Sequence, residues 1–600
     1  MSAWARLGRV DALVAGVALA LMLAIPILEI AARPLSGAGI ANAPVLVQHL
    51  GLVLAMFGAL VAARGGLLTS LGAGLAAVGH PQVRRFAEWY AGASTALICG
   101  LLAYASRQFV ASEMAAPHAL AYGIPAWTIQ SAMPLGFAWL GIRLGARLMT
   151  SGWRVLPALL LPLAGWQFAA AFDGATMPLW PFALWLLTLL LSGAPVFAVL
   201  GGLALALFWQ EGQPLAAVPL SHYQITVNPS LPALPLFTLA GLVFARTQAA
   251  ARLGTLFTSL FGGGVAGTAI AGAVLCSFFT ALTGGSGVTI LALGGLLLPL
   301  LVRAGFPERR GIGLVTSASA LGVLLAPSVP LIMYAIIARV PINTMFLAGV
   351  LPALVMIAFL LGVGGFLRRG ETWRSVPVER VPLARAAWAA KWELLAPVVA
   401  IGAMVSGLAT PTESAALTAL YALLTQTVAH RELAWRDLAG LLVECAQVIG
   451  GIMLILGMAL GLTNFLVDAG IPDQAIEWVQ ALLPSTFAFL VALNLFLIVA
   501  GALMEIYAAI VVLVPLLLPV ALAYGIDPVH FGVIFLANLE MAFLFPPAGM
   551  NLYFASAMFA KPLREVMVSV LPAVMAMFLG ALTISVLPFL SLWLPGVLGR

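Results

Sequence analysis

An apolar segment that is interrupted twice and then recurs limits the possible folds of this 600-residue chain more than any other part of its sequence. The first copy, 279–330, is broken at 283–287 (TGGSG) and at 326–328 (APS). A constant separation of 220 residues, without gaps, relates four pairs of Gly or Pro residues: Pro299 and Pro519, Gly305 and Gly525, Pro327 and Pro547, Pro352 and Pro572. In this register 284–286 falls on 504–506, and 326–328 falls on 546–548. The alternative is a chance alignment in a biased composition, which four ungapped matches make a poor explanation.

The composition places these breaks inside a membrane. Hydrophobic residues make up 63% of the chain and charged residues 8%, against roughly 25% charged residues in soluble domains. The apolar runs do not alternate as the strands of an outer-membrane barrel do. A backbone that leaves the helix in hydrocarbon exposes N–H and C=O groups that no water satisfies, so such breaks are tolerated only where they are buried in protein or line a cavity. Matching interrupted segments in two halves indicate the binding site of a secondary transporter.

Apolar runs before the repeat predict five further spans, at 12–32, 44–63, 86–106, 127–149 and 155–172. The stretch 64–85 is Gly-rich and predicts a helix along the membrane interface. The first run also fits a signal peptide in outline, but it exceeds the usual apolar length and ends in Arg33, which favours a retained span. Arginines at alternate ends predict a cytoplasmic N-terminus. The +6 net charge lies in loops and indicates topology rather than nucleic-acid binding.

These spans divide the chain into three parts. Residues 1–152 form a four-span unit, 153–173 a connecting transmembrane helix, and 174–600 the larger part that contains both repeats. Within the larger part the halves are about 174–367 and 392–600. The basic loop 368–391 between them is predicted to be cytoplasmic.

The first break carries oxygen atoms suited to a hard cation. Thr283 and Ser286 offer hydroxyls, Gly284 and Gly285 let backbone carbonyls turn toward a ligand, and Ser328 adds a hydroxyl from the second break. Na⁺ prefers such oxygen ligands, and helix N-termini facing the same cavity favour an anion. The competing explanation is close helix packing through glycine, which we prefer for 262–264 and 294–295.

The second copy places a carboxylate at the matching position. Glu505 lies in a long apolar run, where an ionisable residue indicates function. It could coordinate Na⁺, carry a proton or pair with a basic group. Glu413 follows Thr410 and Pro411 in a pattern typical of a helix start, so a capping role competes with a site role. Glu540 lies near the second Pro-Pro and its role stays open.

Enzyme motifs are missing from the sequence. There is no HExxH, no nucleophile elbow and no Walker A motif, and the three cysteines are isolated in apolar runs. The chain is therefore predicted not to be an enzyme or an ATPase.

Several phrases resemble the large membrane subunit of the TRAP (tripartite ATP-independent periplasmic) transporters: GAPVFAVLGG, LPLFTLAG, LGVLLAPSVPLIMYAI, MFLAGVLP, GLATPTESAALTALYAL, GIDPVHFGVI and FPPAGMNLYFAS. Together they cover most of 181–595. The four-span unit resembles the small membrane subunit, whose sequence is less distinctive. The chain thus looks like a fusion of the two permease subunits.

The resemblance implies an all-α polytopic protein of the bacterial inner membrane, an inverted-repeat elevator with two re-entrant helical hairpins and an N-terminal four-helix scaffold. It implies Na⁺-coupled import of a small organic acid, a carboxylate such as a C4-dicarboxylate or a sulfonate, which a periplasmic solute-binding protein delivers. Two Na⁺ sites are expected. On the family pattern their ligands match Gly284, Gly285, Ser286, Ser328, Glu505, Ala548, Gly549 and Met550. The substrate-facing positions match Ser286, Thr289 and Asn551.

The sequence departs from the usual family pattern at four places. The first tip usually reads Ser-Gly-Ser-Ser, the acid at Glu505 is usually Asp, and a Thr usually stands where Phe545 does. The first Pro-Pro is here Ala326-Pro327. The missing threonine hydroxyl leaves open whether Glu540 contributes a ligand or a proton. Two rival functions are a symporter that needs no binding protein and a non-transporting membrane scaffold. The identity of the acid is beyond the sequence.

Overall fold

The computed structural model describes residues 3–36, 39–68, 70, 81–149, 155–262, 264–367, 381–546 and 549–598. These residues form α-helices and, apart from two isolated bridges, no β-strand. Eleven of the described helices are long and apolar enough to cross a membrane, or up to 14 spans exist if each bent helix pair counts as one. The described chain is therefore an all-α polytopic membrane protein, as its composition predicts.

The N-terminal helices correspond to the predicted spans with two corrections. They are α1 (Ala3–Ser36), α2 (Ala43–Gly65), α3 (Pro81–Ala115), α4 (Ala126–Gln130), α5 (Ala132–Ala146) and α6 (Val155–Phe172). Residues 81–85, predicted to lie in an interfacial segment, belong to α3; 69 and 71–80 of that segment lie outside the described residues. The predicted fourth span is two helices separated at Ser131, because Pro134 has no N–H to donate to Gln130.

The next helices lead to the first broken pair and through the first copy of the repeat. They are α7 (Leu179–Leu191), α8 (Val196–Gln210), α9 (Ala217–Thr226), α10 (Ala233–Ala245), α11 (Ala249–Phe261), α12 (Val265–Thr283), α13 (Ser286–Arg303), α14 (Glu308–Ala318), α15 (Val329–Ile337), α16 (Ile342–Ala348) and α17 (Val350–Gly362). A 3₁₀ turn, Leu321–Leu324, lies between α14 and α15. The chain bends by 75° between α10 and α11.

The remaining helices complete the second half. They are α18 (Leu383–Ala389), α19 (Lys391–Val405), α20 (Pro411–Leu424), α21 (Leu438–Asp468), α22 (Ile471–Leu482), α23 (Thr486–Leu503), α24 (Ile506–Ala523), α25 (Pro528–Ala542), α26 (Met550–Phe559), α27 (Leu563–Val586) and α28 (Phe589–Leu598). Most of the basic loop, 368–380, lies outside the described residues. A bend of 115° separates α22 from α23.

The helix boundaries repeat with the separation that the sequence predicts. Shifting α12 and α13 by 220 residues gives α23 and α24 to within one residue at every end. The starts of α14 and α15 shift onto the starts of α25 and α26 to within one residue as well. Both predicted breaks of each copy are therefore present as gaps between helices. Whether the two copies are inverted relative to the membrane remains a prediction.

One compact unit comprises Met1–Pro235, Leu438–Gln474 and Val511–Leu516. Within it α2 packs against α1 and α21, and α3 against α5 and α6. Glycines allow the backbones to touch: a Cβ on Gly58 would lie 2.3 Å from the Ala446 carbonyl oxygen, and one on Gly450 would lie 2.1 Å from the Ala59 nitrogen. Asp11 and Arg143 form a buried ion pair between α1 and α5.

The second compact unit comprises Leu236–Asp437, Ala475–Ile510 and Leu517–Arg600, and it contains all four breaks. Here α12 packs against α11, α13 and α14, while α13 packs against α26 and α23 against α25. These units follow packing rather than chain order, because α21 of the second half contacts α8 and α9. The division at 152 and 173 concerns segments of sequence and stays a prediction.

Candidate functional site

Each of the four breaks ends at the start of a new helix. The residues that precede these helices are Gly285 before α13, Ser328 before α15, Glu505 before α24 and Gly549 before α26. The four N-terminal ends therefore come from both copies of the repeat.

The first break depends on glycine for its conformation. Gly284 has a φ of 73°, in the left-handed region, and its N–H donates to the Thr280 carbonyl at 2.8 Å. A Cβ at Gly284 would lie 2.8 Å from a Val329 methyl carbon. A side chain at this position is disfavoured both by the backbone and by lack of space. The first tip thus lies directly against the beginning of α15.

Ser328 holds the beginning of α15 in place. Its Oγ accepts from the Leu331 N–H at 3.5 Å, and its hydroxyl donates to the Val323 carbonyl. The side chain is fully buried. The predicted ion ligand is therefore also the N-cap of a broken helix, and it lies beside the first tip because Gly284 contacts Val329.

The second tip, the break at 504–506, contacts the first tip through a tyrosine. The Tyr507 hydroxyl, in the first turn of α24, donates to the Gly284 carbonyl at 3.2 Å. The Glu505 carboxylate accepts from the N–H groups of Tyr507 at 3.1 Å and Ala508 at 3.4 Å. Glu505 therefore caps α24, a role that the sequence analysis did not consider. Tyr507 was also missed, although a polar aromatic residue two positions after Glu505 in an apolar run was an available signal.

The last break joins the site through an amide. The Ser286 hydroxyl donates to the Asn551 side-chain oxygen at 3.0 Å, and the Asn551 N–H donates to the Phe543 carbonyl at 3.1 Å. Asn551 is fully buried, and its Nδ2 has no hydrogen-bond partner among the described residues. Two of the three predicted substrate-facing residues are thus in direct contact. A free amide donor at this point can bind an acceptor oxygen of a ligand.

The other predicted residues of this break occupy different environments. A Cβ on Gly549 would lie 2.3 Å from the Phe543 carbonyl oxygen, so the close turn requires glycine. Met550 is 37% exposed. Ala548 lies outside the described residues.

Thr289, the third predicted substrate-facing residue, is fully buried within the first helix pair. Its hydroxyl is 2.6 Å from the Thr280 hydroxyl, 3.3 Å from that of Thr283 and 3.3 Å from the Gly285 carbonyl. These contacts satisfy its hydrogen-bonding groups inside the pair. A substrate contact by Thr289 remains a prediction.

Two further acids were singled out in the sequence. Glu413 forms a capping box with Thr410 at the start of α20, which confirms its predicted capping role. Glu540, on α25, is 3% exposed, and its Oε2 has no hydrogen-bond partner in the part of the chain that the structure describes.

The assembled site groups several helix N-termini. The contacts described above bring the N-terminal ends of α13, α15, α24 and α26 close together. Free N–H groups at a helix N-terminus carry about half a positive charge and favour anionic groups. Ser328 and the Glu505 carboxylate already cap α15 and α24, whereas within the described residues no side chain caps α13 or α26. No group of three or more His, Cys, Asp or Glu side chains in the described chain is arranged to hold a metal ion.

Comparison with known proteins assigns this arrangement to a family. Residues 183–590 match the profile described as "Tripartite ATP-independent periplasmic transporter, DctM component", and residues 22–152 match the DctQ component. The chain belongs to the TRAP transporter family. It combines the small and the large permease subunits, and α6 lies between the two matched ranges.

Three relatives of the chain are TRAP permeases with named substrates. The chain is 32% identical to the C4-dicarboxylate TRAP transporter large permease protein DctM of Rhodobacter capsulatus, over 69% of this chain and 98% of that protein. It is 31% identical to the isethionate TRAP transporter permease protein DctMQ of Oleidesulfovibrio alaskensis, over 68% of this chain and 65% of that protein. It is 30% identical to the sialic acid TRAP transporter large permease protein SiaM of Vibrio cholerae, over 61% of this chain and 86% of that protein.

Family membership fixes the general role of the TRAP permease. It is a transporter subunit rather than an enzyme, and a multi-pass protein of the bacterial inner membrane. TRAP permeases work with a periplasmic solute-binding protein. The four helix breaks therefore lie in a protein whose task is to move a solute across the bilayer.

Proposed function

We propose that this TRAP permease imports a small organic anion, a carboxylate or a sulfonate, by Na⁺ symport with an elevator movement. The observation that carries the proposal is the meeting of four helix N-termini beside the unpartnered Asn551 amide. Positive helix ends and a free N–H donor suit the oxygen atoms of an acid group. The relatives are named for C4-dicarboxylates, isethionate and sialic acid, which are all organic acids.

Na⁺ is the coupling ion we propose for the same breaks. The first of the two proposed Na⁺ sites, named the first half-site, would draw on Gly284, Gly285, Ser286 and Ser328. These residues carry backbone carbonyls and hydroxyls of the kind Na⁺ prefers. The second would draw on Glu505, Ala548, Gly549 and Met550. Glu505 uses Oε2 to cap α24, and its second carboxylate oxygen makes no such bond. We propose that this oxygen faces the ion.

The elevator part of the proposal is supported by the repeat. Equal helix boundaries in two copies, each with two breaks, are typical of transporters in which one repeat element moves relative to another. We further propose that α12 with α13, and α23 with α24, enter the membrane as re-entrant hairpins. Of the rival functions, a scaffold gives no account of four breaks, two of which end in polar caps.

Uptake into proteoliposomes tests the proposal. The purified permease is reconstituted and given radiolabelled succinate, isethionate or sialic acid, with an inward gradient of Na⁺ or of choline. Each condition is run with and without a cognate periplasmic solute-binding protein, and protein-free liposomes measure leakage. We expect one acid to accumulate only with both Na⁺ and the binding protein. Equal uptake in choline would refute Na⁺ coupling, and uptake without the binding protein would favour the rival symporter.

A further inference from the structure

A buried threonine joins the first helix tip to the break that follows α14. Thr280 lies on α12, one turn before Gly284, and is fully buried. Its Oγ1 is 2.9 Å from the Ser319 carbonyl oxygen and 2.6 Å from the Thr289 hydroxyl. Ser319 directly follows α14. The Thr280 hydroxyl on α12 thus contacts α13 and the chain that leads from α14 to the break at 326–328.

The single hydrogen of Thr280 has two acceptors within reach. A threonine hydroxyl has one hydrogen and two acceptor lone pairs. The Thr280 hydroxyl can donate to the Ser319 carbonyl at 2.9 Å or to the Thr289 hydroxyl at 2.6 Å. The Gly285 carbonyl accepts the Thr289 backbone N–H at 3.2 Å and lies 3.3 Å from the Thr289 hydroxyl. The network around Thr280 therefore also holds a carbonyl group of the first tip.

The chain beyond Ser319 is held firmly against α12. A Cβ on Gly322 would lie 2.1 Å from the Ser277 carbonyl oxygen and 2.5 Å from the Thr280 Cβ. The 3₁₀ turn that contains Gly322 therefore rests on α12 backbone to backbone. The same turn provides the Val323 carbonyl, which accepts the Ser328 hydroxyl. A continuous path of contacts runs from Thr280 to Ser328.

The second copy keeps the close packing but lacks the hydroxyls. Ala281 and Gly322 correspond by the 220-residue shift to Gly501 and Ala542, and a Cβ on Gly501 would lie 2.7 Å from the Ala542 Cβ. The residues that correspond to Thr280, Thr289 and Ser319 are Ala500, Ala509 and Leu539. The threonine link is therefore an addition to the first half-site and is not required by the packing of the repeat.

We propose that Thr280 is a positioning residue, which fixes the first tip relative to Ser328 and thereby sets the affinity of the first half-site for the coupling ion. The inference rests on the proposed function for the ion. It assigns Thr280 no contact with ion or substrate. Its effect comes from holding two groups of ligands at one separation.

Three variants test the role of Thr280. Thr280→Val keeps the shape and removes the hydroxyl, and Thr280→Ser restores it. Thr316→Val is the matched control, because Thr316 is also fully buried but donates only to the Ile312 carbonyl one turn back in α14. For each variant the Na⁺ concentration for half-maximal uptake, the maximal rate, and hydrogen exchange across 319–328 are measured in reconstituted protein.

We expect Thr280→Val to raise the half-saturating Na⁺ concentration about fivefold, the usual effect of one lost hydrogen bond, and to speed exchange in 319–328. Thr280→Ser should stay within about twofold of the wild type, and Thr316→Val should change neither quantity. Equal Na⁺ dependence and equal exchange in Thr280→Val and Thr316→Val would overturn the positioning role. Na⁺-independent uptake by the wild type would overturn the proposed coupling instead, and unchanged exchange in Thr280→Val would then also overturn the positioning role.

Discussion

The Ser286 hydroxyl donates to the Asn551 side-chain oxygen at 3.0 Å, across 265 residues of sequence, and the Asn551 nitrogen has no acceptor among the described residues. This bond joins the start of α13 to the start of α26. In this orientation of the amide the oxygen is occupied and the nitrogen is free. In the proposed function this nitrogen would donate to the acid group of the substrate.

Asn551→Asp tests this arrangement. The substitution keeps the shape but replaces the free donor with a negatively charged oxygen, which repels an anionic substrate. We expect substrate KM to rise by tenfold or more, since hydrogen bonds to charged groups are worth about 1.5–3 kcal/mol. Asn551→Ala should raise KM less. A double-mutant cycle of Ser286→Ala with Asn551→Ala should be non-additive, because the two side chains share one bond; additive effects would contradict the contact.

Glu505→Gln separates capping from ion coupling. Glutamine retains an oxygen that can cap α24, so the protein should insert and fold normally. Loss of the negative charge from a desolvated site should raise the Na⁺ requirement for uptake by about tenfold or more. Glu505→Ala removes the cap as well and should lower stability by about 1 kcal/mol.

If Glu505 carries a proton instead, uptake by the wild type should depend on pH and Glu505→Gln should abolish that dependence. Unchanged Na⁺ and pH dependence in Glu505→Gln would leave only the capping role.

Glu540→Gln tests how a buried carboxylate oxygen without a partner is tolerated. An ionised carboxylate that lacks partners is costly to bury, so a neutral side chain of the same shape should leave the melting temperature unchanged or raise it. Glu393→Gln is the control, because Glu393 is equally buried but accepts from Arg252 and Gln426. That control should melt lower. A fall in melting temperature for Glu540→Gln would show that Glu540 has a stabilising partner.

Arg252 on α11 holds a buried charge cluster. It donates to Glu393 at 3.0 Å and 2.6 Å, to Gln426 at 3.0 Å and also to Glu432. Glu393→Ala leaves Arg252 without its buried partner and should cost about 3–5 kcal/mol of unfolding free energy. The half-exposed pair of Glu308 and Lys561 is the comparison, and Glu308→Ala should cost at most about 1 kcal/mol. Chemical denaturation measures both free energies of unfolding. Equal losses in Glu393→Ala and Glu308→Ala would contradict the prediction that burial makes the Glu393 pair more important.

Glu432 makes the stability contributed by the same cluster depend on pH. Burial alone would raise the pKa of Glu432, but hydrogen bonds from Arg252 and from the Gln248 N–H outweigh it and hold the pKa below its ordinary value. A carboxyl with a lowered folded pKa stabilises the protein at neutral pH, and this contribution is lost as the pH falls through that value. The melting temperature should therefore drop less between pH 7 and pH 4 in Glu432→Gln than in the wild type. An equal drop would refute the link.

The class of protein and the positions of the breaks could be predicted from the order of residues alone. Gly284 and Glu505 could be located because glycine, proline and an isolated charge are conspicuous in an apolar run, and because the second copy repeats their spacing. The capping role of Glu413 was also predictable, since a capping box is a local pattern of four residues. The break at Ser131 was missed, although Pro134 is a local signal for it.

The pairs of groups that meet at the breaks could not be predicted and became visible in the folded chain. The contacts of Tyr507 with Gly284, of Ser286 with Asn551 and of Thr280 with Ser319 join residues that no periodicity relates. In a chain that is 63% hydrophobic, most helix faces are equally apolar, so hydropathy does not specify which helices pack together. Small residues and hydrogen bonds choose the partners in such proteins. These hydrogen bonds can form only after the helix backbones have come into contact.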